Sequence, residues 1–325
     1  MQLPSSDGDL EVIVRCVRPE TSEIRSFVLV PKSGDTLPPF EAGAHIDVFP
    51  IQGIVRQYSL LNDPSDRSRY VLGVKREQNG RGGSSAMHGT LQEGCTLRIS
   101  RPKNHFALRP NTGRNLLLAG GIGVTPLLSM SQALAARGAD FELHYFARSN
   151  SELAFRGMIN ESAWSDRVSY HFGLVPPLLT EVIEEILGKP GDDDAIYMCG
   201  PGPFMDLVRS SAEGLGWAPG GIVAEHFSAA PPKLVPGADE FVVRLAKRGV
   251  EFVVPSDKAI IDVLREAGIE VQTSCEQGVC GTCVTPVLEG EPEHHDLFLS
   301  DEERDSGLMT LCVSRSRSKL LVLDI

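Results

Sequence analysis

The chain has 325 residues, 42% hydrophobic and 23% charged, an ordinary globular balance that implies two or three domains at ~100–200 residues each. A net charge of −12 argues against nucleic-acid binding, which draws on basic surfaces. The start, MQLPSSDGDLEVIVRC, lacks a basic and then apolar leader, and no apolar run reaches ~18 residues, so no signal peptide or membrane span is expected and a cytoplasmic location is the default.

Residues 1–111 form the first expected domain. LEVIVRCV, EIRSFVLV, AHIDVFPI, QYSLL, RYVLGVKR and TLRIS are short β-branched or alternating runs, punctuated by Gly, Pro, Asp and Asn. Six such strands suggest a barrel or sandwich. Arg56-Gln57-Tyr58-Ser59 lies on one of them, and Gly73-Val74-Lys75 on the next. The loop Asn79-Gly80-Arg81-Gly82-Gly83-Ser84 offers backbone N–H groups, a hydroxyl and a cation, a set that suits a phosphate. Cys16 and Cys95 fall within β-rich runs and read as structural.

Residues 112–227 alternate strands (NLLLAG, FELHYFAR, VSYHFGL, AIYMCG, GIVAEHF) with helical patterns (PLLSMSQALAARG, PLLTEVIEEILG, PFMDLVRSSAEGLG), which implies a parallel sheet covered on both faces. After the first strand, Gly120, Gly121 and Gly123 allow close approach of a dinucleotide. Thr125 suits a helix N-cap and Pro126 the first helical position. The pattern is not G-x-G-x-x-G, because Pro126 holds the third glycine position. Cys199-Gly200-Pro201 ends another strand; alone, Cys199 would read as a core thiol.

Residues 228–239, SAAPPKLVPGAD, read as a linker. In residues 240–325, FVVRLAKRGVEFVVP reads as a hairpin, KAIIDVLREAG as an amphipathic helix and LLVLDI as a closing strand. Between them, Cys275-x4-Cys280-x2-Cys283 is followed by Cys312 after 28 more residues, the plant-type [2Fe–2S] spacing. A zinc site would show two close C-x2-C pairs, and only one is present. Such a cluster moves single electrons, so a two-electron donor has to be split upstream, which is flavin chemistry. His294 and His295 lie in the acidic run EGEPEHHDLFLSDEERD, which reads as a solvated loop. From residue 238 onward, 17 acidic and nine basic residues carry −8 of the net charge, either a solubilising face or a surface that steers a basic partner.

RQYS, NGRGGS, GGIGVTP and CGP together resemble the ferredoxin–NADP reductase superfamily. Their order, with CEQGVCGTC downstream, resembles the phthalate dioxygenase reductase family over nearly the whole chain. The resemblance implies an antiparallel β-barrel flavin domain, an α/β parallel-sheet NAD domain and an α+β ferredoxin-like (β-grasp) domain. It implies FMN rather than FAD, and NADH rather than NADPH. It places Tyr58 against the isoalloxazine, Ser59 near flavin N5 and Arg56 at the phosphate. Gln57, Val74, Lys75, Arg81, Gly82, Gly83 and Ser84 complete the flavin site. Gly120, Gly121, Gly123, Thr125, Pro126, Arg148, Cys199, Gly200 and Pro201 hold the dinucleotide, Phe227 stacks on the flavin, and Glu225 sits at the flavin–nicotinamide junction. Ser59, Thr125, Cys199 and Glu225 thus form the reacting centre, with Cys275, Cys280, Cys283 and Cys312 as iron ligands. The implied acceptor is a Rieske-type non-haem iron oxygenase; a cytochrome P450 or a separate ferredoxin is the alternative. Self-contained domains suggest a monomer.

Overall fold

The computed structural model describes residues 8–51, 54–78, 82–110, 113–227 and 240–325. The chain divides into two compact units, Met1–Glu225 and His226–Ile325. Among the described residues no helix is long and apolar enough to cross a membrane.

The first unit opens with β1 (Leu10–Pro19), β2 (Ile24–Pro31), β3 (His45–Ile51), β4 (Ile54–Ser59), β5 (Tyr70–Lys75), α1 (Gly83–Thr90) and β6 (Thr96–Ile99). The strands form one antiparallel sheet in the order β4-β3-β6-β1-β2-β5. An isolated bridge from Leu60 to Leu72 brings the two edges together, so the sheet curls into a nearly closed barrel. Alternate residues such as Val12, Val14, Phe27, Leu29, Ile46 and Val48 fill its interior, as the two-residue period requires. Helix α1 is absent from the sequence reading, which takes this stretch as loop. It packs on β3, β4 and β5, and that tertiary contact outweighs the poor helix propensity of GSSAMHGT.

The same unit continues with β7 (Asn115–Gly120), α2 (Val124–Ala136), β8 (Phe141–Ala147), α3 (Arg156–Asn160), β9 (Val168–Phe172), α4 (Leu178–Leu187), β10 (Ala195–Cys199), α5 (Gly202–Gly214) and β11 (Ile222–Glu225). These five strands are all parallel, in the order β11-β10-β7-β8-β9. The chain order reverses between β7 and β10, and ligands of such sheets bind where the strands end at that switch. One hydrophobic core joins this sheet to the barrel: Ile24, Ala42, Leu61 and Val71 share it with Leu117, Leu127, Phe155 and Tyr197.

The second unit contains β12 (Phe241–Leu245), β13 (Val250–Val254), α6 (Ile260–Glu266), β14 (Val284–Glu289), β15 (Pro292–Glu293), α7 (Asp301–Asp305), β16 (Leu308–Thr310), β17 (Arg315–Ser316) and β18 (Leu320–Leu323). The main sheet runs β13-β12-β18-β14-β16, with β12 and β18 parallel and the other pairs antiparallel. Helix α6 buries Ile260, Ile261 and Leu264 against Val243, Leu245, Leu321 and Leu323. The expected linker, 228–239, lies outside the described residues.

Candidate functional site

Strand β4 sets Val48 opposite Arg56, Asp47 opposite Gln57, Ile46 opposite Tyr58 and His45 opposite Ser59. Arg56 and Tyr58 therefore share one face, Gln57 and Ser59 the other. The Gln57 amide donates to Asp47 Oδ1 (3.0 Å), and Lys103 Nζ holds the other oxygen of that carboxylate at 2.6 Å. Burial raises the Tyr58 hydroxyl well above its usual range. The Arg56 side chain runs against the start of α1: a Cβ on Gly83 would lie 2.4 Å from its Cγ and 2.7 Å from its Nε. Gly82 takes the left-handed conformation at the helix N-cap, with φ of 83°. Bare backbone N–H groups and a guanidinium thus converge, a cradle that a phosphate fits and that a Cβ would fill. Ser84 Oγ accepts from Glu77 N–H at 3.0 Å and fixes the loop ends. Arg81, with Asn79 and Gly80, lies outside the described residues. Val74 is buried, and Lys75 pairs with Glu77 at 3.1 Å.

At the switch point the tips of β7 and β10 meet without side chains. A Cβ on Gly123 would lie 2.2 Å from the Cys199 carbonyl oxygen, and one on Gly120 2.8 Å from Pro201 Cδ. A Cβ on Gly200 would lie 2.9 Å from Phe204 and 3.0 Å from Gly120 Cα. Gly121 differs: its φ is 56°, and a Cβ there would meet nothing within 4 Å. Thr125 is not the N-cap, nor is Pro126 the first helical residue. Gly123 is already helical, so α2 begins at Val124 and Pro126 is third. Proline is harmless there, because the first N–H groups of a helix have no partner within it. Thr125 Oγ1 instead donates to the Ile122 carbonyl (3.0 Å).

The two halves of the first unit touch at this turn. A Cβ on Gly73 would lie 2.7 Å from Thr125 Cγ2. Ser59 Oγ donates to Glu225 Oε2 at 3.5 Å, from β4 to the end of β11. Desolvation pushes the half-buried Glu225 up to about 8. Cys199 lies opposite Glu225 in the β10–β11 register, and burial, then the Glu225 charge, push its thiol far above the usual range. Arg148 follows the end of β8 and is exposed. Strand β11 stops at Glu225, so Phe227 is not a strand residue; it belongs to the second unit and is 38% exposed.

In the second unit all four loop cysteines are buried. They form two hydrogen-bonded pairs, Cys275 with Cys280 and Cys283 with Cys312. The shared bond holds Cys280 down to about 5 and lowers Cys283, while their donors are raised. Two thiol pairs suit two irons, whereas a zinc ion would draw all four to one point. Gln277 N–H donates to Cys275 Sγ at 3.3 Å, the kind of bond that tunes a cluster. Gly278 and Gly281 have φ near +70° and lie under Val313 and Phe298, where a Cβ would come within 2.6 and 2.3 Å.

Residues 243–317 match the family described as 2Fe-2S iron-sulfur cluster binding domain. The chain is 44% identical over 319 residues to the vanillate O-demethylase oxidoreductase of Pseudomonas sp. (strain HR199 / DSM 7063), covering 97% of this chain and 100% of that protein. The solved structure of phthalate dioxygenase reductase, a modular structure for electron transfer from pyridine nucleotides to [2Fe–2S], superposes with a TM-score of 0.77 and 37% identity, covering 98% of each chain. This chain belongs to the phthalate dioxygenase reductase family. The same family likeness extends to part of an intact type IV self-sufficient cytochrome P450 monooxygenase: TM-score 0.80, 33% identity, all of this chain and 43% of that one.

Some groups around these sites carry no sequence signal. His88 Nε2–H donates to the Val74 carbonyl at 2.8 Å, tying α1 to β5. The acidic run around His294 is not simply solvated: Asp296 is buried and accepts from Phe298 N–H (3.2 Å) and Leu299 N–H (2.8 Å), while Leu297 N–H reaches the Gly278 carbonyl (2.9 Å). The Ser314 hydroxyl (3.4 Å) and the Arg304 guanidinium (3.6 Å) join those backbone donors in satisfying the buried carboxylate.

Proposed function

We infer that the protein is an NADH-dependent reductase that passes electrons through FMN and a [2Fe–2S] cluster to a Rieske-type non-haem iron oxygenase acting on an aromatic acid. The observation that carries this is the full-length likeness to such reductases in a chain whose flavin cradle, switch-point turn and cysteine quartet follow in one order. FMN, when bound, accepts hydride and releases electrons singly, the chemistry that joins a nicotinamide to a one-electron cluster.

The chain's own work is positioning. Arg56, Gly82, Gly83 and Ser84 hold the flavin phosphate, and Gln57, Tyr58, Val74 and Lys75 line the ring. Gly120, Gly121, Gly123, Thr125, Pro126, Gly200 and Pro201 let the nicotinamide approach backbone closely, and Arg148 meets its far end. Cys199 stays a neutral thiol, so no nucleophile competes with hydride. Glu225 keeps its proton at neutral pH, and with Ser59 places hydroxyl protons beside the reacting edge. Residues 1–111, 112–227 and 240–325 are the flavin, NAD and ferredoxin domains, joined by 228–239, and the protein works in the cytoplasm.

Anaerobic titration with NADH tests the reading. Both flavin and iron–sulfur absorbance should bleach, and the released flavin should chromatograph as FMN. No bleaching with every cofactor bound sinks the proposal. A cytochrome P450 acceptor is the second reading, favoured by the match to a self-sufficient P450. Turnover with a purified Rieske oxygenase but not with a P450 separates the two.

A further inference from the structure

Phe155 is 2% exposed and holds φ of 61°, a conformation that strains any side chain with a Cβ. Its ring presses on the flavin strand: a Cβ on Gly73 would lie 2.6 Å from Phe155 Cζ, beside the Thr125 methyl at 2.7 Å. The ring therefore wedges β5 at the place where β5 meets the dinucleotide turn. What keeps the strained residue there is Glu20, 135 residues earlier, whose Oε2 accepts from Phe155 N–H at 3.2 Å. The other oxygen, Oε1, accepts from the buried Ser26 hydroxyl at 2.6 Å. Ser26 lies directly opposite Gly73 in the β2–β5 register. The contacts close a ring: Gly73, Ser26, Glu20, Phe155 and back to Gly73.

Such a closed circuit fixes one distance. Glu20 is itself anchored by the turn after β1, where its N–H bonds to the Ile24 carbonyl (2.9 Å) and Thr21 Oγ1 accepts from Ile24 N–H (3.0 Å). The carboxylate bridges the barrel and the parallel-sheet half, each oxygen spoken for by one side. Without a side-chain oxygen at position 20 the Phe155 N–H would be buried without a partner, and the residue would relax out of its strained conformation.

We propose that Glu20 is a positioning residue for hydride transfer: it holds Phe155 so that the ring sets the approach of the flavin strand to the dinucleotide turn at Thr125. This rests on the proposed reductase activity. Hydride transfer is steep in distance, and a misplacement of about 1 Å costs on the order of 100-fold.

The test is stopped-flow reduction of the full-length holoenzyme by saturating NADH, with the long-wavelength charge-transfer absorbance of the nicotinamide–flavin complex as a second readout. If the wild-type flavin is not reduced, the proposed activity fails and Glu20 is not at issue. With an active wild type, E20A is expected to slow flavin reduction at least about tenfold and to weaken the charge-transfer band, with KM for NADH little changed. E20Q retains an oxygen for Phe155 N–H and is expected to stay within about threefold of wild type. F155G accepts the backbone conformation without strain but lacks the wedge, and should match E20A. Wild-type reduction rates and absorbance in E20A and F155G overturn the proposal, whatever the loss of stability. Where E20A does not fold, the F155G rate decides alone.

Discussion

Both units rely on glycine at their sites, for different reasons. At the switch point of the first unit, Gly123 has an ordinary helical φ of −61° and is glycine only because the Cys199 carbonyl occupies the space of a side chain. In the cysteine loop of the second unit, Gly278 and Gly281 have left-handed φ and are also covered, by Val313 and Phe298. The first site is built by bringing rigid strand ends together; the second, by bending one loop around a group that supplies its own bonds. A dinucleotide that comes and goes needs a surface complete without it. A cluster that stays can be part of what holds its loop.

Cutting the second site away from the first gives the largest effect. Cys280→Ser should abolish the iron–sulfur absorbance and EPR signal while NADH still reduces the flavin at the wild-type rate. Loss of flavin reduction in a folded variant would break the two-site picture. Within the first site, Gly123→Ala sets a methyl 2.2 Å from a backbone oxygen that cannot step aside, and should cost about 3 kcal/mol in urea unfolding. Gly121→Ala meets open space and is strained only by its φ, so about 1 kcal/mol is expected. Equal costs at the two positions would remove the distinction between packing and conformation.

The smallest effect is read in pH. Glu225 titrates near 8 in the folded unit, against 4.5 unperturbed. Between those values the unfolded chain releases a proton that the folded one keeps, so stability falls as pH rises from 4.5 to about 8 and is level on either side. Glu225→Gln removes that slope. Because Glu225 is only half-buried, the variant should gain about 1–2 kcal/mol relative to wild type between pH 5 and pH 8 in unfolding titrations. Parallel pH profiles would show that the carboxyl is solvated.

Much of this was legible in sequence because local patterns carry it. The barrel strands alternate with the pleat, the parallel strands are continuous apolar runs, and the cysteine spacing has one common meaning. The start of α2 is not legible in the same way, because a glycine normally precedes a helix rather than joining it, and only the Cys199 carbonyl explains why Gly123 does. Helix α1 leaves no local signal because its sequence is a weak helix former held by the barrel it covers. Asp296 reads as one more acid in an acidic run, and Glu20 as one more polar turn residue; yet Asp296 also accepts from the Ser314 hydroxyl, 18 positions away, and Glu20 from Phe155 N–H, 135 positions away. No window on the sequence joins such pairs.

The placement of β18 sets an order of events during synthesis. It lies between β12 and β14, so the second unit's sheet has no middle until residues 320–323 have left the ribosome. The first unit has all its strands by Glu225 and can fold while the rest is being made. Chains halted at residue 319 should therefore resist protease up to Glu225 and be digested beyond it. A chain whose first unit is already folded thus has to wait for β18 before the sheet that carries the cysteine loop is complete.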